Sequence, residues 1–200
     1  MLPLKNSEVE LWEKAWNLIM EGLSVPKHPY STPVLCSINP FLHPRSRTIV
    51  LRNALRDKGK FICYTDKRSQ KVRDLKEGSP YTSWTFWSPE AKIQVNAYGT
   101  TTFLPEEEAR KIFASLPKHS RKSYATVSAP GKLAEDYSDG LPPNWDSLDI
   151  KKTNYVAENF CVLQTLLTEM EILLLSRNGH QRLRATKKSR TEWAFQWLVP

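Results

Sequence analysis

The chain has 200 residues, 40% hydrophobic and 25% charged, a length and composition suited to a soluble globular protein of one generous domain or two small ones. A net charge of +8, from 29 Lys and Arg against 21 Asp and Glu, favours anionic partners. The basic residues are scattered, with Lys187-Lys188-Ser189-Arg190 the nearest thing to a cluster, so a nucleic-acid-binding module ranks last. Cys36, Cys63 and Cys161 are far apart, odd in number and set in apolar stretches. They read as reduced, buried thiols and argue against a disulfide framework or a zinc site. The histidines show no metal-ligand spacing, and no apolar stretch nears the ~20 residues that cross a bilayer. With no signal-like segment at its start, the expectation is a cytoplasmic protein with no membrane partner.

Along the chain, Ser7 with Glu10 forms a capping box. Leu11, Trp12, Ala15, Trp16, Leu18, Ile19 and Leu23 then recur at helical spacing, predicting an amphipathic helix over 7–23. Thr32 to Asn39 reads as a strand. Arg47 to Leu55 reads as one strand that a turn at Asp57-Lys58-Gly59 joins to Lys60 to Thr65 as a hairpin. Ser69 to Lys76 is a short helix stopped at Gly78. Tyr81 to Trp87 and Ile93 to Phe103 are strands around a Ser88-Pro89-Glu90 turn.

Pro105 to Leu116 is a helix whose first turn carries Glu106, Glu107 and Glu108, which suit the positive end of its dipole. Ser120 to Val127 predicts another short helix, and 129–159 an irregular loop. Strands follow at Phe160 to Leu167, Glu171 to Leu175, Gln181 to Ala185 and Trp193 to Leu198. Many antiparallel strands with helices at the periphery predict a closed or partly closed barrel in a single domain over 1–200.

The segment Arg47 to Gln94 carries the chemistry. Arg47 and Arg52 have opposite parity, so on one ideal strand they face opposite ways unless a bulge intervenes. Thr65 leads into the loop before the Ser69-Gln70-Lys71 helix start. A helix N-terminus presents free N–H groups and positive dipole charge, so with Ser69, Lys71 and an Arg it makes a competent phosphate site. Trp84 and Trp87 also have opposite parity, so at most one of them faces a given ligand. Cys63 reads as a buried strand residue. The adjacent His119 and Ser120 have no orienting acid and do not form a nucleophile pair.

The order Arg47-Thr-Ile-Val-Leu-Arg52, Tyr64-Thr65, Ser69-Gln70-Lys71 and Gln94-Val95 with Gly99 resembles the pyridoxamine 5'-phosphate oxidase family. The closing Trp197-Leu-Val-Pro200 is similar to that family's end. The resemblance implies an FMN-binding split β-barrel of six to seven antiparallel strands with peripheral helices, acting as a homodimer with the flavin at the interface. It implies that Arg47, Arg52, Tyr64, Thr65, Ser69, Gln70 and Lys71 surround the FMN phosphate, and that Gln94 bonds the isoalloxazine edge. It further implies an oxidoreductase that moves a hydride from a small molecule to FMN.

The departures are specific. Arg52 replaces a Lys, Gln70 replaces an Arg, and Ala129-Pro130 replaces a Gln-Ser pair. The positions that clamp substrate phosphate in the family read Arg52, Ile112, Leu116 and Ser120, and the family's Arg-x-His reads Arg182-Leu183-Arg184. Ser120, Arg182 and Arg184 therefore remain as contacts for a small, anionic substrate, while pyridoxamine 5'-phosphate itself is disfavoured. Two alternatives stay open: a flavin-binding protein without efficient catalysis, and a haem-binding split barrel.

Overall fold

The computed structural model describes residues 6–200. The capping box forms as expected, and helix α1 (Glu8–Ser24) buries Leu11, Trp12, Ala15, Trp16 and Ile19 along one stripe. Strands β1 (Val34–Ile38), β2 (Pro44–Thr48), β3 (Leu51–Leu55) and β4 (Lys60–Asp66) follow, then helix α2 (Gln70–Glu77) and the hairpin of β5 (Ser79–Ser88) and β6 (Ile93–Phe103). Helices α3 (Glu106–Ser115) and α4 (Lys118–Arg121) precede β7 (Phe160–Leu174), β8 (Gln181–Lys187) and β9 (Trp193–Leu198). The nine strands form one antiparallel sheet in the order β2-β1-β5-β6-β7-β4-β3, with β8 and β9 branching from β7.

Two strand predictions are corrected. Arg47 to Leu55 is not one strand: β2 pairs with β1 and β3 pairs with β4, at opposite ends of the sheet order. The chain steps from one end of the rolled sheet to the other through Ile49 and Val50. No ladder joins β2 to β3, so the barrel is split along that seam.

Conversely, the two strands predicted at 160–167 and 171–175 are a single β7. Its register slips where Tyr98 pairs with Glu169 but Gly99 pairs with Leu167, leaving Thr168 as the extra residue of a bulge. Leu163, Thr165 and Leu167 face the interior before the slip, and Met170 and Ile172 after it. A one-residue slip reverses side-chain parity, and this broken alternation looks in sequence like the end of a strand.

Gly99 sits against this bulge. A Cβ there would lie 2.2 Å from the Leu166 carbonyl oxygen, a backbone atom that cannot swing away. Gly99→Ala is expected to destabilise by at least about 2 kcal/mol through overpacking, measured as a fall in the denaturant midpoint. A midpoint within 0.2 M urea of wild type (an order-of-magnitude threshold) would refute the close approach.

The barrel interior and α1 share one apolar core. Phe61 touches Trp16, Trp84 and Phe86, with ring centroids 5.9, 5.4 and 5.4 Å apart. Trp84 is buried and Trp87 is 41% exposed, as their parity requires. A second cluster beneath α3 gathers Phe113, Tyr124, Trp145, Val156, Phe160 and Val162.

The region 129–159 is therefore only partly irregular. Its last part forms 3-10 segments at Trp145–Ser147 and Lys151–Asn159 that feed this second cluster. The helix predicted over Ser120 to Val127 reduces to α4 plus one 3-10 turn at Lys122–Tyr124. Among the described residues, no helix is long and apolar enough to cross a membrane.

Candidate functional site

The rolled sheet brings β1, β2, β4 and the start of α2 to one end of the barrel. Arg47, opposite Leu35 on β1, turns inward rather than to solvent. Its guanidinium donates to the Ser37 hydroxyl at 2.8 Å and the Leu35 carbonyl at 3.2 Å, and lies 3.6 Å from the Asp74 carboxylate. Asp74, fully buried on α2, also accepts from Ser37 at 3.1 Å and from Gln70 at 2.9 Å. The residue that aims Arg47 is thus an acid four positions beyond Gln70. Nothing in the sequence pattern singled out Asp74 or Ser37, because their proximity exists only after α2 docks on β1.

Lys71 completes the cluster. Its ammonium donates to the Thr65 hydroxyl at 2.9 Å and the Ser69 hydroxyl at 3.3 Å. Ser69 is the N-cap residue of α2, yet its side chain makes no capping bond, which leaves its hydroxyl to Lys71 and Thr65. The first N–H groups of α2 have no acceptor within the helix.

No carboxylate pairs with Lys71 among the described residues. The nearby thiols are not counter-ions either: burial pushes Cys63 up to about 12 and Cys161 up to about 11, so both stay protonated at neutral pH. Burial, and then the neighbouring Arg47, lower the Lys71 pKa from its ordinary value. Asp66 is already engaged, its carboxylate held by Arg68 at 2.7 Å while Arg68 also donates to the Thr126 carbonyl. Arg47, Lys71 and Asp74 together leave one uncompensated positive charge beside a helix start. That donor set fits a phosphate group.

The other candidates lie elsewhere. Arg52 falls at a register shift in β3, and its guanidinium sits 5.5 Å over the Tyr64 ring. Tyr64 points away from Thr65, as strand alternation requires, and its ring meets Phe160 edge-on. Gln94 lies on the outward face of β6, opposite Trp87. It is five residues from Gly99, which pairs with Thr82 beside the α2 end, so about 17 Å of strand separates the two places. Within one chain, Gln94 and Lys71 are not brought together.

The proposed substrate contacts also divide. Ser120 is on α4, and no hydrogen bond joins it to the other candidates. Its neighbour Arg121 is buried and ties α3 to the 3-10 segments, donating to the carbonyls of Ala114, Leu116 and Ile150. Arg182 and Arg184 do alternate onto one face, but both already hold Glu171, at 2.6 and 2.8 Å. Burial pushes the Glu171 carboxyl up, yet bonds from the two arginines leave it below its ordinary value. An internal carboxylate occupies the position an anionic substrate would take between these arginines.

Comparison with known proteins fits this architecture. Residues 12–105 match the family model described as pyridoxamine 5'-phosphate oxidase, FMN-binding domain. A pyridoxine/pyridoxamine 5'-phosphate oxidase of Bacteroides thetaiotaomicron is 36% identical over 88 residues, covering 44% of this chain and 40% of that protein. One from Vibrio atlanticus is 33% identical over 100 residues, covering 47% and 46%. The chain thus spans less than half the length of the curated relatives it matches.

Among solved structures, a pyridoxamine 5'-phosphate oxidase-related, FMN binding protein of Nostoc punctiforme superposes with TM-score 0.73 at 19% identity, covering 98% of this chain and all (100%) of that one. PhzG of Burkholderia lata, in complex with tetrahydrophenazine-1-carboxylic acid, superposes with TM-score 0.68 at 21% identity, covering 98% and 94%. These two likenesses show the split-barrel fold. With the family model and the curated relatives, they define the class: a split barrel whose residues 12–105 match the pyridoxamine 5'-phosphate oxidase, FMN-binding domain.

Proposed function

We propose that the protein binds FMN, with the phosphate held by Arg47, Thr65, Ser69 and Lys71 at the start of α2, and acts as an oxidoreductase on a small molecule. The observation that carries this reading is Lys71: a half-buried ammonium bonded to two hydroxyls, beside a second cation, with no acid paired to it among the described residues. When bound, FMN supplies acceptance of a hydride, with re-oxidation by oxygen or another acceptor. This chain's residues contribute charge, hydrogen bonds and orientation.

Gln94 is read as a contact for the isoalloxazine edge. Its separation from Lys71 along the sheet supports a homodimeric site in which each chain supplies part of two cofactor sites. Arg52, over the Tyr64 ring, is read as part of the surroundings of the FMN phosphate, and the half-buried Ser120 as lining the substrate side. Pyridoxamine 5'-phosphate is not the proposed substrate. Ile112 and Leu116 cannot hold its phosphate, and Arg182 and Arg184 are committed to Glu171.

The test is a titration with FMN followed by visible absorption and flavin fluorescence. Wild type is expected to bind at micromolar concentration or tighter. Arg47→Ala and Lys71→Met should each weaken binding by at least tenfold, or about 1.4 kcal/mol, since each removes a charge-assisted bond. Affinity should also fall on the alkaline side, at a pH below the ordinary lysine value of 10.5, because Lys71 must be protonated to attract phosphate and its pKa is lowered. An unbound wild-type protein at micromolar FMN would overturn the cofactor assignment, and a haem spectrum in the purified protein would replace it.

A further inference from the structure

On the barrel wall, well apart from α2, the bulge in β7 opens a notch. The same edge of β7 is covered first by β4, as far as the Lys60–Leu166 pair, and then by β8, from the Glu169–Thr186 pair onward. Between them, Leu167 N–H reaches the Gly59 carbonyl at 2.8 Å, and Thr168 is left without a ladder partner from β4 or β8. The gap is a cavity of about 580 Å³. Leu166, Leu167 and Thr168 form its floor, and Leu166 is 45% exposed there.

Its walls are cationic. Lys58 and Lys60 stand on one side, and Lys187, Lys188 and Arg190 on the other. No lining residue is acidic. Among the described residues, none of the five cations takes part in an ion pair. Lys187 is held in place: its ammonium donates to the Lys58 carbonyl and lies 5.8 Å from the centre of the Trp193 ring. Gly59, with φ +56°, makes room for it, since a Cβ there would fall 2.7 Å from the Lys187 nitrogen. Burial and the neighbouring Lys60 both lower the Lys187 pKa, which marks the concentration of like charge.

We propose that this notch is a second binding site, for an organic phosphate whose charged group meets the lysines and Arg190 and whose apolar body rests on Leu166. Several convergent cations suit the dianionic charge of a phosphate ester better than a monocarboxylate. A concave gap closed by two turns suits a small molecule better than a nucleic-acid strand, which needs an extended basic track with exposed stacking aromatics. The site shares no residue with the cluster around Arg47 and Lys71.

The probes are 1-naphthyl phosphate and inorganic pyrophosphate, titrated calorimetrically at low salt. Wild type is expected to bind 1-naphthyl phosphate at the notch. Lys188→Glu with Arg190→Glu, both exposed, should weaken it at least tenfold without changing the thermal midpoint. Leu166→Ser should weaken 1-naphthyl phosphate several-fold and leave pyrophosphate unchanged. Lys71→Met should bind as wild type does, which separates this site from the proposed cofactor site. The proposal is overturned if the charge-reversed protein binds as wild type does, if Lys71→Met abolishes binding, if neither probe binds, or if only a single-stranded oligonucleotide binds.

Discussion

Asp74→Ala is expected to destabilise the protein by about 3 kcal/mol and to weaken FMN binding by more than tenfold. Asp74 is fully buried and accepts from Ser37 and Gln70 while lying 3.6 Å from Arg47. Removing it strands a half-buried guanidinium and a buried hydroxyl, and breaking one side of a buried ion pair is costly for that reason. For a chain of this size the thermal midpoint should fall by roughly 6–12 °C.

Asp74→Asn separates the two contributions. It keeps an acceptor for Ser37 but loses the ion pair and the second oxygen that accepts from Gln70, so it should cost about 2 kcal/mol. An alanine variant that melts within about 2 °C of wild type would show that Asp74 does not anchor this end of the barrel. Loss of stability with unchanged FMN affinity would detach Arg47 from phosphate binding.

The second large effect is expected in the core. Phe61→Ala should cost about 3–5 kcal/mol, the range for truncating a buried aromatic side chain. Phe61 is fully buried and is the ring at which α1, through Trp16, meets the β5 face, through Trp84 and Phe86. Aromatic neighbours are stiff and cannot collapse into the gap, so the cavity contribution persists. Phe61→Leu should recover most of the loss. Urea unfolding with an unchanged slope measures this directly; a loss below about 1 kcal/mol would mean that Phe61 is not the junction described.

The local elements were legible in the sequence because each rests on interactions a few residues apart. The Ser7–Glu10 capping box, the apolar stripe of α1 and the β5–β6 hairpin follow from spacing and turn chemistry alone. So does the helix start around Ser69 to Lys71, which needs no distant partner to present its N–H groups. The Arg47 to Leu55 reading failed because a strand pattern does not reveal which neighbour a strand pairs with. Arg47 to Leu55 reads as one run centred on Ile49 and Leu51, yet β2 and β3 close different ends of the sheet. The single β7 looked like two strands because its bulge reverses parity at Thr168.

The family and its split-barrel class were therefore written in the order and spacing of short motifs. The tertiary structure alone decided how those motifs are used. Docking of α2 on β1 placed Asp74 behind Arg47, pairing of β8 with β7 set Glu171 between Arg182 and Arg184, and the β4-to-β8 handover at the bulge gathered Lys58, Lys60, Lys187, Lys188 and Arg190 around one notch. Each brings together charged groups that the sequence keeps apart. The sign and strength of their interaction depend on burial and separation, which exist only once the sheet has rolled up.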